Sequence, residues 1–286
     1  MYSGSTLKQL RTLDKWLGAH QKLDRLARRQ LAVYSDGSGK VVFPATKQIL
    51  QFEGQNGPDA IKRKTPAQGE PWHYYNPDDG SDKQLLKIIA DHHTLLVKAL
   101  CEGNQTRASF EAAWLAHAVV DGLTPAHHYP YEQELTRLRG GEGIESRTTT
   151  KEKLVMHGDT MREKLSHNWQ MWGDKGLLAT HIAFEAGVAV AILPLRFQRL
   201  ALPSELPQVL GRRPYLAFFK SQARAIADLH MYEEFYRAGW TPRLARKARR
   251  VLVPAIVQSV AYTWYTAQQE AERRLARAAT SKNAAA

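Results

Sequence analysis

The sequence predicts an all-α, multi-helix protein. Apolar residues recur at helical spacing along much of its 286 residues. No alternating apolar–polar stretch exceeds a few residues, so strands are not expected. Glycine and proline clusters punctuate the helical stretches where turns belong. Residues 5–31 read as helix, and from His20 onward Leu23, Leu26, Ala27 and Leu31 fall on one face. Residues 32–80 read as loop-rich, with turns at Asp36-Gly37-Ser38-Gly39 and Asp78-Asp79-Gly80. Residues 82–101 read as helix, followed by a turn at Gly103-Asn104 and a second helix over 106–122. A polar connection is expected over 128–150, including Gly140-Gly141-Glu142-Gly143, and helices over 151–172 and 176–200. Pro203 and Pro207 break the chain before helices over 212–238 and 242–278, the last opening after Pro242. The tail 281–286 is expected to fray. With no internal repeat and no clean boundary, residues 1–286 read as one domain, with an inserted segment near 128–176 and C-terminal helices over 204–278. The inserted segment, rich in His157, His167, Trp169 and Trp172, is expected to be a packed helix rather than a lid over the site.

Composition narrows the class. A chain of this length can bury one large core, and a hydrophobic content of 43% is that of ordinary globular proteins. The single cysteine, Cys101, excludes an internal disulfide and a thiolate zinc cage. It follows the apolar run 85–100 and reads as a buried structural thiol. A formal charge of +12 suits a partner that carries phosphates, either nucleic acid or an anionic membrane. The densest basic stretch, 243–250, reads as a solvated helix face. A second run, Lys62-Arg63-Lys64, lies between Asp59 and His73 and could steer an anionic substrate. Residues 1–18 lack a continuous apolar run and carry Lys8, Arg11, Asp14 and Lys15, so they do not read as a signal peptide. A cytoplasmic location is the default expectation, or a secreted one if an upstream leader has been trimmed. The longest apolar run, 177–195, contains His181, Glu185 and Pro194, so no transmembrane segment is expected.

The most informative stretch is His117-Ala-Val-Val-Asp121-Gly-Leu-Thr-Pro125-Ala-His127. Four residues apart on a helix, His117 and Asp121 project from one face about 5–6 Å apart, the spacing by which a helix offers an imidazole and a carboxylate to one metal. Pro125 ends the helix and biases Thr124 away from helical angles, so the chain can turn and bring His127 back beside the same site. His-x3-Asp or His-x3-Glu spacing alone is weak: it recurs at His20/Asp24, His128/Glu132, His181/Glu185 and His230/Glu234, and helix-surface ion pairs produce it too. His181/Glu185 stands out because its surroundings are apolar, where a histidine and a glutamate need partners. Upstream, Asp59 precedes His73 by 14 residues across a loop rich in Pro, Gly and Lys. His128 reads as a neighbour of a ligand, exchangeable with His127 only if the turn shifts by one residue. Of His92 and His93, at most one could approach the metals.

In the order His20, Asp59, His73, His117-x3-Asp121-x5-His127, His181-x3-Glu185, the chain resembles the zinc-dependent phospholipase C superfamily, which includes the zinc-dependent single-strand nucleases. The resemblance covers residues 16–200. It implies a mainly helical fold around a cluster of three zinc ions, of which this chain is expected to keep two or three. By resemblance, Asp59, His73 and His117 hold one zinc, with Asp121 bridging to a neighbour. His127, His181 and Glu185 hold a second. His20, Asp121 and the amine and carbonyl of an N-terminal tryptophan hold the third. Here the chain starts Met1-Tyr2-Ser3 and Trp16 lies inside it, so either processing exposes a new N-terminus or the third site is altered.

The resemblance implies hydrolysis of a phosphodiester by metal-activated water, with Asp59 binding zinc and orienting the water. The substrate is a phospholipid headgroup or another phosphodiester, with peripheral membrane contact, or single-stranded nucleic acid. Glu185 as the last carboxylate and the spacing from Asp59 to His73 lean to phospholipase C. Trp72, Tyr74, Tyr75, Trp114, Tyr129 and Tyr131 are candidates to stack a base or pack a choline. The third reading is a non-catalytic zinc- or phosphate-binding protein.

Overall fold

A computed structural model describes residues 18–35, 41–62, 64–200, 202–211 and 213–284. Among the described residues there are helices and turns and no strand, so the protein is all-α. The first helix, α1 (Ala19–Tyr34), buries Leu23, Leu26, Ala27 and Leu31 as its spacing requires, together with His20 and Asp24. The part of the expected helix over 5–17, Trp16 within it, and the turn at 36–39 lie outside the described residues. The loop-rich stretch that follows carries two one-turn helices, α2 (Thr46–Ile49) and α3 (Pro58–Ile61). Pro58 sits at the start of α3, where its missing N–H costs nothing.

Two longer helices, α4 (Gln84–Cys101) and α5 (Gln105–Gly122), form a hairpin. Gly103 takes φ +65° in the turn between them, a left-handed conformation that suits glycine. The Asn104 side chain then caps α5, accepting a hydrogen bond from the Arg107 N–H at 3.0 Å.

Downstream, several boundaries depart from expectation for local reasons. Residues 128–150 are not only a polar connection. They contain α6 (Tyr131–Leu138), which buries Tyr131, Leu135 and Leu138 at helical spacing. Residues 151–172 form two helices, α7 (Thr150–Leu154) and α8 (Met161–Trp172). Each opens with a reciprocal cap, Thr149 with Glu152 and Thr160 with Glu163, so the chain restarts its helix instead of continuing it. The next helix, α9 (Leu177–Ile192), stops before Pro194, short of the expected residue 200. After α10 (Leu206–Leu210), the expected helix over 212–238 divides into α11 (Tyr215–Ala227) and α12 (Met231–Ala238). His230 marks the break, with a left-handed φ of +48°. Thr241 caps α13 (Pro242–Lys247), which passes through a π turn at Ala248–Leu252 into α14 (Val253–Ala284). Pro254 has no N–H to offer the Arg250 carbonyl, which accounts for the widened turn. The helix is described through Ala284, and residues 285–286 of the expected tail lie outside the described residues.

The long α14 packs across α1, α4 and α5. Trp264 is wholly buried there, and its indole N–H donates to the Ala112 carbonyl at 3.0 Å. The Gln268 amide ties down the first loop by donating to the Val41 carbonyl at 3.1 Å. Cys101 is half-buried rather than fully enclosed, its Sγ 3.7 Å from the Ala271 carbonyl oxygen. One large core joins these helices to α9 and the C-terminal helices. A second, small cluster of Tyr131, Leu135, Leu138, Met156 and Met171 lies within the segment expected as an insertion. The expectation of a packed helix fails for α8, of which only Met171 is buried.

Trp240 lies directly on α9 at Gly187. A Cβ at position 187 would come within 1.7 Å of the indole nitrogen, which donates to the Ala183 carbonyl at 3.2 Å. Gly187→Ala is expected to displace the indole and cost about 1–3 kcal/mol, as overpacked sites do. Thermal unfolding would read this as a lowered midpoint; an unchanged midpoint would show that the contact carries no stability.

Candidate metal centre

Six segments meet around Asp121. The hairpin helix α5 presents His117 and Asp121 on one face. The turn Pro125–His127 follows, held by Thr124, whose hydroxyl donates to the Val120 carbonyl at 2.8 Å. Two hydrogen bonds join this turn to the extended stretch around His73. The Tyr75 N–H donates to the His127 carbonyl at 3.1 Å, and the His127 Nδ1–H donates to the His73 carbonyl at 2.7 Å. The one-turn α3 supplies Asp59, α1 supplies His20, and α9 supplies His181 and Glu185.

All eight sequence-predicted residues meet. Asp121 Oδ2 lies 2.6 Å from His73 Nδ1 and 3.1 Å from His117 Nε2. Its Oδ1 lies 3.3 Å from His20 Nε2 and 3.8 Å from His127 Nε2. Asp59 Oδ1 is 3.8 Å from His117 Nε2. Glu185 Oε1 is 2.8 Å from His127 Nε2 and 3.1 Å from His181 Nε2. Two donor groups result, Asp59/His73/His117 and His127/His181/Glu185, each compact enough to hold a metal ion, and Asp121 touches both.

The chemistry of the donors fits a cation. A carbonyl only accepts, so His127 carries its proton on Nδ1 and turns the Nε2 lone pair toward the Glu185 carboxylate. A lone pair facing a carboxylate is repulsive unless a proton or a metal ion lies between them. His117 repeats the pattern, with Nδ1–H donating to Glu53 Oε1 at 3.0 Å and Nε2 facing Asp121. The Nε2 atoms of His20, His73 and His117 are buried and make no hydrogen bond of normal geometry, as befits atoms meant to coordinate.

Burial would push the Asp121 carboxyl up, but His127 and His117 help hold it well below the usual carboxylate range. Burial likewise opposes ionisation of Glu185, and His181 and His127 help hold it down. Burial would lower His117, yet Asp121, Glu53 and Asp59 raise it well above an ordinary imidazole, so with no cation in the cluster the ring favours a proton on both nitrogens, and a metal ion would have to displace the one on Nε2. Burial and the nearby Lys62 push His73 down to about 3, so its ring stays neutral and able to ligate.

Two buried carboxylates outside the expected ligand set also contribute. Glu53, fully enclosed, holds His117 by its Nδ1 across 64 positions of chain. Because His117 Nε2 already faces Asp121 and Asp59, Glu53 orients the ring from behind, although it also lies close enough to His20 and His117 to form a third donor group with them. Asp24, one turn after His20, is buried with neither oxygen hydrogen-bonded. Burial and the Glu53 carboxylate push it well above its ordinary range, which favours its neutral form. Lys62, from the basic run singled out above, pairs with Asp59 at 3.0 Å; Arg63 lies outside the described residues.

The other histidines stay out of the cluster. His128 turns away and donates from Nε2 to the Gly122 carbonyl at 3.0 Å, so the turn is not shifted. His92 pairs with Glu111, and His93 stacks on Tyr215. The spacings at His128/Glu132 and His230/Glu234 are decoys: Glu132 pairs with Arg147 and Glu234 with Lys247. Among the aromatic candidates, Tyr74 stacks on both His127 and Tyr131, and Trp72 packs on Tyr74. Trp114 sits with Phe110 and His92 instead, and Tyr75 with Phe219. A cavity of about 1250 Å³ is lined by His128, Tyr129 and Thr180 among others, and by none of the eight residues.

No family model, curated protein or solved structure matches this chain. The resemblance to the zinc-dependent phospholipase C superfamily therefore rests on the residue pattern alone.

Glu53→Gln is expected to weaken metal binding about 10–100-fold, the usual effect of losing a carboxylate behind a ligating histidine. Competition against a chromophoric chelator would measure it. Wild-type affinity in the variant would show that Glu53 does not orient His117.

Proposed function

We propose that the protein is a zinc-dependent phosphodiester hydrolase of the phospholipase C and single-strand nuclease superfamily. The observation that carries this reading is Asp121, a fully enclosed carboxylate in contact with four imidazoles and shared between two donor groups. A mixed imidazole and carboxylate donor set suits zinc. Asp59, His73 and His117 would hold one ion, and His127, His181 and Glu185 another, with Asp121 between them and His20 on its far oxygen. Zinc there would supply a water acidic enough to ionise near neutral pH, and positive charge to offset the negative charge developing on phosphoryl oxygens.

The chain's own groups complete the chemistry. Asp59 is the more accessible of the two aspartates, 17% exposed against 0% for Asp121. Burial opposes its ionisation, but Lys62 and His117 hold it well below its ordinary range, so it stays a carboxylate. It can accept a hydrogen bond from the attacking water and orient it. Burial would lower the Lys62 ammonium, yet Asp59 and Asp121 raise it, so it stays charged and can meet a substrate phosphate oxygen.

The reading leans to phospholipase C, on Glu185 as the final carboxylate and on the spacing from Asp59 to His73. The stacked Tyr74 and Tyr131, beside His127 and His181, could pack a choline by cation–π attraction. The same stack also suits a base, which keeps the nuclease as the second reading.

Asp121→Ala is expected to abolish hydrolysis of bis-p-nitrophenyl phosphate, because losing a shared carboxylate disturbs both groups. His230→Ala, at a decoy spacing, should leave the rate nearly intact. If the unmodified protein with zinc supplied cleaves no phosphodiester, the hydrolase reading fails and a non-catalytic zinc- or phosphate-binding protein takes its place. Parallel assays on phosphatidylcholine vesicles and single-stranded DNA decide between the two enzymes.

A further inference from the structure

The helix α8 is built inside out. Met161, Leu165, Trp169 and Trp172 are 72%, 66%, 67% and 42% exposed, and their spacing places them along one face. Met171 anchors the helix in the small apolar cluster, and hydrogen bonds supply further contacts. Asn168 exchanges hydrogen bonds with the Met156 backbone, His167 Nδ1 donates to the His157 carbonyl at 2.8 Å, and the Trp172 indole N–H donates to the Leu154 carbonyl at 2.7 Å. An amphipathic helix that served only the core would turn its large apolar side chains inward. Contiguous exposed apolar residues of this size mark a contact surface.

We propose that α8 is an interfacial helix that seats the protein on an anionic lipid surface. On a helix of 3.6 residues per turn, Arg162 and Lys164 fall on either side of the apolar stripe, where their long stems can reach lipid phosphates. The one acidic residue of the helix, Glu163, is turned to the helix start, where it accepts from the Asp159 and Thr160 N–H groups. Tryptophan is the residue that favours the boundary between headgroups and acyl chains. The overall charge of +12 adds attraction for a negative leaflet. Insertion across the bilayer is not implied. The stretch Met161–Ile192 is long and apolar enough by composition to span, but it is two helices, and the second carries His181 and Glu185 into the candidate metal centre.

Trp169 also lines the large cavity, whose walls include none of the eight candidate ligands. That a membrane phospholipid is the substrate rests on the hydrolase reading; that α8 meets lipid does not.

Flotation with vesicles of phosphatidylcholine, alone or mixed with phosphatidylglycerol, tests the docking on chelator-treated and on zinc-loaded protein. The protein is expected to float with the anionic vesicles and to shift its tryptophan emission to the blue. The double variant Leu165→Ser, Trp169→Ser should partition at least about tenfold more weakly, given the apolar area it removes. Val209→Ser, at an apolar residue 77% exposed on α10, should partition like the wild type. The substituted side chains are exposed, and unchanged circular dichroism would confirm that the fold is kept. A wild type that stays with the buffer, a double variant that floats equally well, or a stripe that only supports self-association in sedimentation would each overturn the proposal. Flotation without any phosphodiester turnover would retain α8 as a lipid contact and remove the hydrolase reading. Turnover of a water-soluble diester without flotation would do the reverse.

Discussion

A carboxylate wholly removed from water sets the terms for the rest of the molecule. Asp121 lies at the end of α5, in contact with His20, His73, His117 and His127. An ionised carboxylate at that depth persists only where positive charge or strong donors surround it. Four imidazoles can meet that need as cations, or as neutral ligands of shared metal ions. The second arrangement also accounts for the lone pair that His127 turns toward Glu185.

The helices are arranged so that this meeting is rigid. The hairpin of α4 and α5 fixes the axis on which His117 and Asp121 stand, and α14 locks the hairpin from the other side through Trp264 and the Ala112 carbonyl. The last turn of α9 is met by Lys22, which donates to the Ile192 and Leu193 carbonyls and ties the helix that carries His181 and Glu185 to α1, which carries His20. Trp240 holds the same helix at Gly187. Ligands far apart in sequence are therefore mounted on helix ends and turns that share one core. Glu53, Asp24 and Lys62 form the polar layer behind and beside them.

Legibility in the sequence followed the range of the interaction. The His117-to-His127 stretch could be read because one helix turn and one proline determine its geometry locally. His181 and Glu185 could be read because two such groups in an apolar run need partners. Glu53 could not, since its bond to His117 spans 64 positions and no local pattern marks it. The helix types were legible, and several boundaries were not. The two Thr-x-x-Glu caps that split residues 151–172 are a local signal and could have been found; the break at His230, a left-handed non-glycine residue, could not. The exposure of α8 was missed because spacing shows that residues share a face without showing which way that face turns.

The central claim, that the cluster around Asp121 is a metal centre, is tested most directly by diffraction from zinc-grown crystals at the zinc absorption edge. Anomalous peaks are predicted at two positions at least, one among Asp59, His73, His117 and Asp121, the other among His127, His181 and Glu185. Each should lie about 2.0–2.1 Å from the imidazole nitrogens. A cluster with no anomalous peak, its histidines bonded directly to the carboxylates, would contradict the account.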